Sequence, residues 1–380
     1  MAYFDNNATT RLGKTPLQVY KAALEDDWSN PSSPYLSASR VRAKIQKARE
    51  EFAHSFNLKP DDLIFTSGAT ESNNAVLAHA SLLPLKVKGC LLSPLEHSSI
   101  LEPAKYWFDQ RVFYLPIDSN GLVLLDNLEQ IIEAKSISFV SLMAANNETG
   151  VLQPWQEVAR ICARKGVFFH CDATQWVGKL DPTDFSICTS FSASAHKFSG
   201  PKGVGWLACK RPFSLQLGGG QENGLRGGTE NYPAIISMLT AFKESQENLS
   251  TFSNRVNWRD QFELDLEQYL PQTRFLGNNH PRLWNTSMFV LPKFENLSWI
   301  GKLDKIGFSV STGSACSTGN MSNSLLTSSM NLSTSQVRRL VRVSSYSEQT
   351  QRDWQELALA FKKVHDELEM EASCSSVISL

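Results

Sequence analysis

The sequence predicts an α/β fold in which a large domain, built on a mostly parallel sheet with helices on both faces, is joined to a smaller α+β domain. Three observations predict it. Apolar, strand-like runs alternate with helix-like stretches through the middle of the chain, the texture changes after a glycine-rich segment, and 380 residues suffice for a large domain with a smaller companion. The runs are "DLIFTSG" (62–68), "GCLLSP" (89–94), "RVFYLPI" (111–117), "ISFVSLMAA" (137–145), "VFFHCDA" (167–173) and "VGWLACK" (204–210). Their near-continuous apolar character suits strands covered on both faces. Between them, "PWQEVARICARKG" (154–166) spaces Val158, Ile161 and Cys162 along one face of a helix. After "LGGGQENGLRGGTE" (217–230), a helical stretch from about Pro233 leads to shorter strands and a long amphipathic helix near 350–373. The expected division is a large domain over 13–250, with 1–12 and 251–380 forming the smaller one.

Composition excludes several function classes. With 37 basic and 38 acidic residues and no long run of either sign, there is no electrostatic footprint for nucleic acid or an anionic membrane surface. The start, "MAYFDNNATTRLGKTP", has no basic segment followed by an apolar one, and no apolar stretch reaches the roughly 18 residues of a membrane span. A cytoplasmic protein is expected. Seven cysteines (Cys90, Cys162, Cys171, Cys188, Cys209, Cys316, Cys374) are scattered without metal-binding spacing, which fits reduced thiols and no metal site.

In open sheets of this kind ligands sit beyond the C-terminal strand ends, so polar residues closing apolar runs are the candidates. Ser67-Gly68-Ala69-Thr70 ends a strand and opens a helix, offering N–H groups and a positive dipole end to an anion such as phosphate; simple N-capping by Ser67 or Thr70 explains the same residues. Asp172 follows a run that should be buried, where a carboxylate needs a partner such as a protonated ring nitrogen, or else caps the next turn. Asn146 and Asn147 close another run and either orient a ligand or shape the turn at "ETG"; His97 starts a helix and is either functional or structural. Ser194, His196 and Lys197 close the run "SFSASAHK". A lysine amine shielded there can act as a nucleophile toward a carbonyl, although most lysines are simply solvated. Lysine, buried aspartate and helix start, taken in order, match the aldehyde, ring nitrogen and phosphate of pyridoxal phosphate.

The motifs "YFDNNATT", "SNPSS", "FTSGATESNN", "EHSSI", "NNETG", "HCDATQ", "SAHKFSGPKG", "GGGQENGLRGGTEN" and "STGSACSTG" occur in order along nearly the whole chain. Together they closely resemble the cysteine desulfurases of the iron-sulfur assembly type, class V members of the fold type I pyridoxal phosphate enzymes. The resemblance implies a large domain with a mostly parallel seven-stranded sheet and a small domain carrying a catalytic cysteine loop. It gives Lys197 the Schiff base, Asp172 the ring nitrogen, His97 the ring stack and acid-base work, and Gln175 the phenolic oxygen. Ala69, Thr70, Ser194 and His196 would hold the phosphate, with Thr229 reaching the partner subunit's phosphate in a homodimer. Asn147, counted also among the cofactor ligands, and Arg342 would grip the carboxylate of L-cysteine. Cys316, in a run of small residues, would attack the substrate sulfur, leaving alanine and a persulfide that is passed to an acceptor protein of a scaffold or transfer-RNA thiolation pathway.

The chain also departs from the family pattern. Tyr35 stands where histidine is usual, and Ala38 and Ala195 where glycine is; the tail "EMEASCSSVISL" lacks the expected scaffold-docking segment. The alternatives are another class V enzyme, an aminotransferase or selenocysteine lyase, and a non-enzymatic scaffold that keeps the fold.

Overall fold

The computed structural model describes residues 2–82, 89–312 and 328–377. In chain order its strands are β1 (Ala2–Tyr3), β2 (Leu63–Thr66), β3 (Gly89–Leu92), β4 (Val112–Tyr114), β5 (Ile137–Ser141), β6 (Phe168–Asp172), β7 (Ser190–Ser194), β8 (Gly205–Cys209), β9 (Arg274–Leu276), β10 (Thr286–Val290), β11 (Phe308–Ser309) and β12 (Leu340–Ser344). Among the described residues, a seven-stranded sheet runs in the order β2-β8-β7-β6-β5-β3-β4. Each apolar run of the sequence supplies one of its strands, and β7 comes from the run ahead of Lys197.

All neighbouring pairs from β7 to β4 are parallel, whereas β8 runs antiparallel to both β7 and β2. The reason is local. Only the short segment 195–204 joins β7 to β8, too little chain for the helical crossover that a parallel return requires. Gly205, which opens β8, packs so tightly that a Cβ there would lie 2.4 Å from the Ala193 carbonyl oxygen and 2.7 Å from Gly68 Cα. β8 is thereby pressed against the turn that follows β2.

Successive residues of the buried strands point to opposite faces, and each face carries helices. On one, Phe139 and Leu207 pack with Val76, Leu77, Ile100, Ala104 and Phe108 from the helices Ala69–Leu82 and Ser98–Phe108. On the other, Val140 and Trp206 pack with Phe52, Phe56, Trp155, Val158 and Phe242 from the helices Leu36–Ser55, Trp155–Lys165 and Tyr232–Glu247.

A separate core surrounds the antiparallel sheet β12-β10-β9, where Phe289, Val341 and Val343 meet Phe262, Trp299, Trp354 and Phe361. The C-terminal helix, Gln351–Val377, covers this core. The N-terminal residues join it: β1 pairs with β11 and Phe4 is fully buried.

The glycine-rich segment 217–230 is pinned by one buried ion pair. Glu222 accepts from both terminal nitrogens of Arg49, at 2.7 and 2.8 Å, and from the Phe65 backbone N–H at 2.8 Å. Removing one partner of such a pair strands the other charge in the interior, so Glu222→Ala should lose about 3 kcal/mol of stability in urea unfolding of the cofactor-free protein. A loss under about 0.5 kcal/mol, the range of ordinary surface substitutions, would contradict the pinning role.

Candidate active site

The parallel direction shared by β2, β3, β5, β6 and β7 brings Ser67–Thr70, His97, Asn146–Asn147, Asp172 and Ser194–Lys197 to one edge of the sheet. Lys197 ends the 3-10 turn that continues β7, and its Nζ donates to the carbonyls of Asn7 at 2.6 Å and Ala8 at 2.7 Å. The N-terminal segment is therefore part of the site.

Asp172, the last residue of β6, is 6% exposed. One oxygen accepts from Asn73 Nδ2 at 2.9 Å and the other from the Thr174 N–H at 2.9 Å, so it both caps the following turn and faces the site. It forms no ion pair among the described residues. Asn73 is itself locked, because its Oδ1 accepts from Ser192 Oγ at 2.6 Å and bonds His170 Nε2 at 3.0 Å. Burial lowers the His170 pKa to about 4, so the ring is neutral and donates from Nε2.

His97 caps the helix Ser98–Phe108: the Ser99 backbone N–H donates to Nδ1 at 3.1 Å, which leaves the proton of the neutral ring on Nε2. Burial lowers its pKa, with Lys197 pushing the same way against Asp172. Asn73 Nδ2 also donates to Ser99 Oγ, which lies 2.9 Å from His97 Nδ1, so one amide aligns Asp172 and His97 together.

Beyond the β2 and β7 ends lies a cleft of about 330 Å³ at the start of the helix Ala69–Leu82, lined by Thr9, Ser67, Gly68, Thr70, Ser194, His196, Lys202 and Gly203 and by Glu71, whose carboxylate is taken up by the Ser67 N–H and Arg226. The N–H of buried Ala69 donates to Ser194 Oγ at 2.7 Å, so the cap comes from across the sheet rather than from Ser67 or Thr70. Thr229 is exposed and lines an adjoining cleft that shares Ser67 and Gly203 with this one. Nearby, Arg226 pairs with Glu71 at 2.9 Å.

Arg342, on β12, is buried and reaches the site from the other core, donating to the Asn147 carbonyl at 3.1 Å and pairing with Asp5. Asn146 is the turn-shaping residue, its Oδ1 accepting from the N–H groups of Glu148 and Thr149. Gln175 is buried and donates from Nε2 to the Asn7 carbonyl at 3.0 Å. Cys316 lies outside the described residues. Of the family departures, Tyr35 is half exposed at a helix start, Ala38 is buried, and Ala195 fits because its neighbour Gly200 has no Cβ, which would otherwise sit 2.7 Å from that of Ala195.

The pattern of the Aminotransferase class-V family matches residues 2–357. The chain belongs to that family. It is 36% identical over 338 residues to the cysteine desulfurase IscS of Dictyoglomus turgidum, covering 87% of this chain and 86% of the relative. To the protein of that name from Clostridium botulinum strain Hall it is 32% identical over 362 residues, covering 92% and 91%. A solved structure of a NifS-like protein superposes with a TM-score of 0.87 at 31% identity, covering 97% of this chain and 99% of that one. The fold is accordingly the fold type I pyridoxal phosphate architecture that the motifs implied, and the chain is a pyridoxal phosphate enzyme.

The residues present fit that cofactor. A buried carboxylate whose donors are all neutral suits a cationic ring nitrogen, the cleft at a helix start suits a phosphate, and an amine held by two carbonyls lies at the adjacent strand end. Among the described residues no helix is long and apolar enough to cross a membrane, and no cluster of three metal-ligating side chains occurs.

Four further residues shape the site: three lie within the family motifs without a role of their own there, and Lys179 lies outside them. Asn7 lies in "YFDNNATT", but its contacts are long-range. Asn73 looks like an ordinary helix residue after "ATES". Glu96 precedes His97 and is buried; its Oε1 accepts from the Met143 N–H, while burial and the nearby Asp172 raise its pKa well above the carboxylate range. Lys179 is the fourth; its position inside the apolar stretch "WVGKL" was the available clue.

His170 and His196 both titrate at about 4, chiefly through burial, against an ordinary 6.5. The unfolded chain takes up these protons near pH 6.5 and the folded chain resists until about 4, so stability of the cofactor-free protein should fall as pH drops through that window. His170→Gln should flatten the fall in urea titrations at several pH values. An unchanged slope would contradict a neutral buried ring.

Proposed function

We propose that this chain is a cysteine desulfurase that removes sulfur from L-cysteine, releases L-alanine and carries the sulfur as a persulfide on Cys316. The observation that carries its pyridoxal phosphate chemistry is the buried Asp172 carboxylate, bonded only by neutral donors and set on the same sheet edge as Lys197. Relatives named cysteine desulfurase at 31–36% identity over most of the chain support it, and the aminotransferase, selenocysteine lyase and scaffold alternatives are not favoured.

Pyridoxal phosphate supplies an electrophilic carbon for the substrate amine and an electron sink beside it. Lys197 Nζ would hold its aldehyde, Asp172 its ring nitrogen, Gln175 its phenolic oxygen, His97 its ring face, and Ala69, Thr70, Ser194 and His196 its phosphate. Arg342, pre-oriented by Asp5 and the Asn147 carbonyl, offers its guanidinium to the substrate carboxylate, with Asn147 beside it. Lys197 Nζ takes and returns protons at the substrate, while His97 donates from Nε2, the nitrogen that keeps the proton when Nδ1 accepts from Ser99. The Cys316 thiolate then attacks the substrate sulfur; the C–S bond breaks, an S–S bond forms, and the carbon fragment takes up protons as alanine. Ser311, five positions before Cys316 in sequence, exchanges backbone hydrogen bonds with Arg342.

The same reading includes a homodimer in which Thr229 serves the partner's phosphate, supported by its exposed position in a cleft adjoining this chain's own. It includes a cytoplasmic setting, with which the unpaired state of the cysteines among the described residues agrees, and a sulfur-acceptor protein of scaffold or transfer-RNA thiolation type. The domain division at 13–250 against 1–12 with 251–380 also belongs to it, supported by the separate hydrophobic cores.

Cys316→Ser tests the reading. The variant should bind cofactor and L-cysteine as before, whereas alanine release should fall by at least about a hundredfold, because a serine hydroxyl is a far weaker nucleophile toward sulfur than a thiolate. A brief exposure of the native protein to L-cysteine should add one sulfur to the Cys316 peptide, removable by reductant and visible by mass. Alanine release by Cys316→Ser at the native rate would overturn the persulfide mechanism.

A further inference from the structure

Lys179 is a lysine with no exposed surface, and its amine meets no carboxylate among the described residues. Nζ donates to Gln175 Oε1 and, at 3.2 Å, to Asn7 Oδ1. An ammonium carries three donors and a neutral amine two, and two acceptors are present, so the surroundings match the neutral form. Burial holds its pKa well below the lysine range, with Lys197 and Arg342 pushing the same way.

The placement of this side chain is enforced by its neighbours. Gly178 has φ +79°, and a Cβ there would fall 2.2 Å from Phe198 Cβ, so only glycine permits the turn that aims Lys179 inward. The Lys179 carbonyl accepts from Trp284 Nε1 at 3.2 Å, fixing the backbone on the far side. The amine therefore has one orientation available, against the Gln175 amide.

A side-chain amide has two ends of similar shape and opposite hydrogen-bonding character. With its oxygen engaged by Lys179, Gln175 turns Nε2 toward the Asn7 carbonyl, the same atom that accepts from Lys197. We propose that Lys179 is a positioning residue which fixes the sense of the Gln175 amide, so that a donor and not an acceptor faces the phenolic oxygen of the cofactor. The proposal rests on the reading that Gln175 meets that oxygen. The Asn7 carbonyl favours the same sense by accepting from Nε2, and without Lys179 it would act alone, so that the flipped amide, which turns Oε1 toward an oxygen anion, is populated more often.

The test is a double-mutant cycle on the full chain stripped of cofactor, titrated with pyridoxal 5′-phosphate and followed by absorbance. Gln175→Ala should weaken binding about tenfold, the equivalent of one hydrogen bond. Lys179→Met, which keeps the length of the stem and buries no polar group, should weaken it about as much in the native background and less than twofold when Gln175 is already Ala. Thermal unfolding of the cofactor-free variants reports folding, and Lys179→Leu repeats the cycle if methionine packs poorly. If Gln175→Ala binds cofactor as well as the native chain, the reading of Gln175 is wrong. If Gln175→Ala weakens binding but Lys179→Met has no effect, or the same effect in both backgrounds, the positioning role is refuted while that reading stands.

Discussion

The carboxylate of Asp172 is the constraint on which the site depends. A charge buried at a strand end costs several kcal/mol unless something compensates it, and here its bonded donors, Asn73 Nδ2 and the Thr174 N–H, are neutral. Neutral donors orient the carboxylate without cancelling it. The negative charge is thus left uncancelled: burial, with Asp172 adding to it, pushes Glu96 toward its protonated form, while burial keeps His170 neutral against the pull of Asp172, so that it serves Asn73 as a donor.

The second organising element is the N-terminal segment. Asn7 joins both hydrophobic units through hydrogen bonds to Thr286, Asn285 and Ser344 on one side and to Lys197, Gln175 and Lys179 on the other. A residue near the start of the chain therefore sets the place of the Lys197 amine and of the Gln175 amide beside it. Arg342, arriving from β12, meets the same junction through Asn147 and Asp5. These residues gather where the two cores meet, so that under the proposed reading Arg342 would hold the substrate while the larger sheet holds the cofactor.

The edge of the sheet was legible because a buried strand that closes in a charged residue is conspicuous: Asp172, Lys197 and the "SGAT" helix start all stand out by contrast with the apolar residues before them. What stayed hidden depends on contacts between segments far apart in sequence. Ser194 caps a helix 125 positions away, Asn73 meets Asp172 across 99 positions, and Lys197 is held by carbonyls 189 and 190 positions earlier. The reversal of β8 follows from a short connection but needs the sheet order to be seen. Cys316, Gln175, Thr229 and Arg342 were reached through the family resemblance alone, since nothing in their local texture marks them out except, for Cys316, its run of small residues.

The most direct measurement of the central claim is the protonation state of the cofactor's ring nitrogen, read by nitrogen-15 NMR on holoenzyme loaded with ring-labelled pyridoxal phosphate. The native protein should show a protonated ring nitrogen across neutral pH, and Asp172→Ala should show an unprotonated one. A native ring nitrogen without its proton, or one that keeps it in Asp172→Ala, would contradict the assignment of that buried charge.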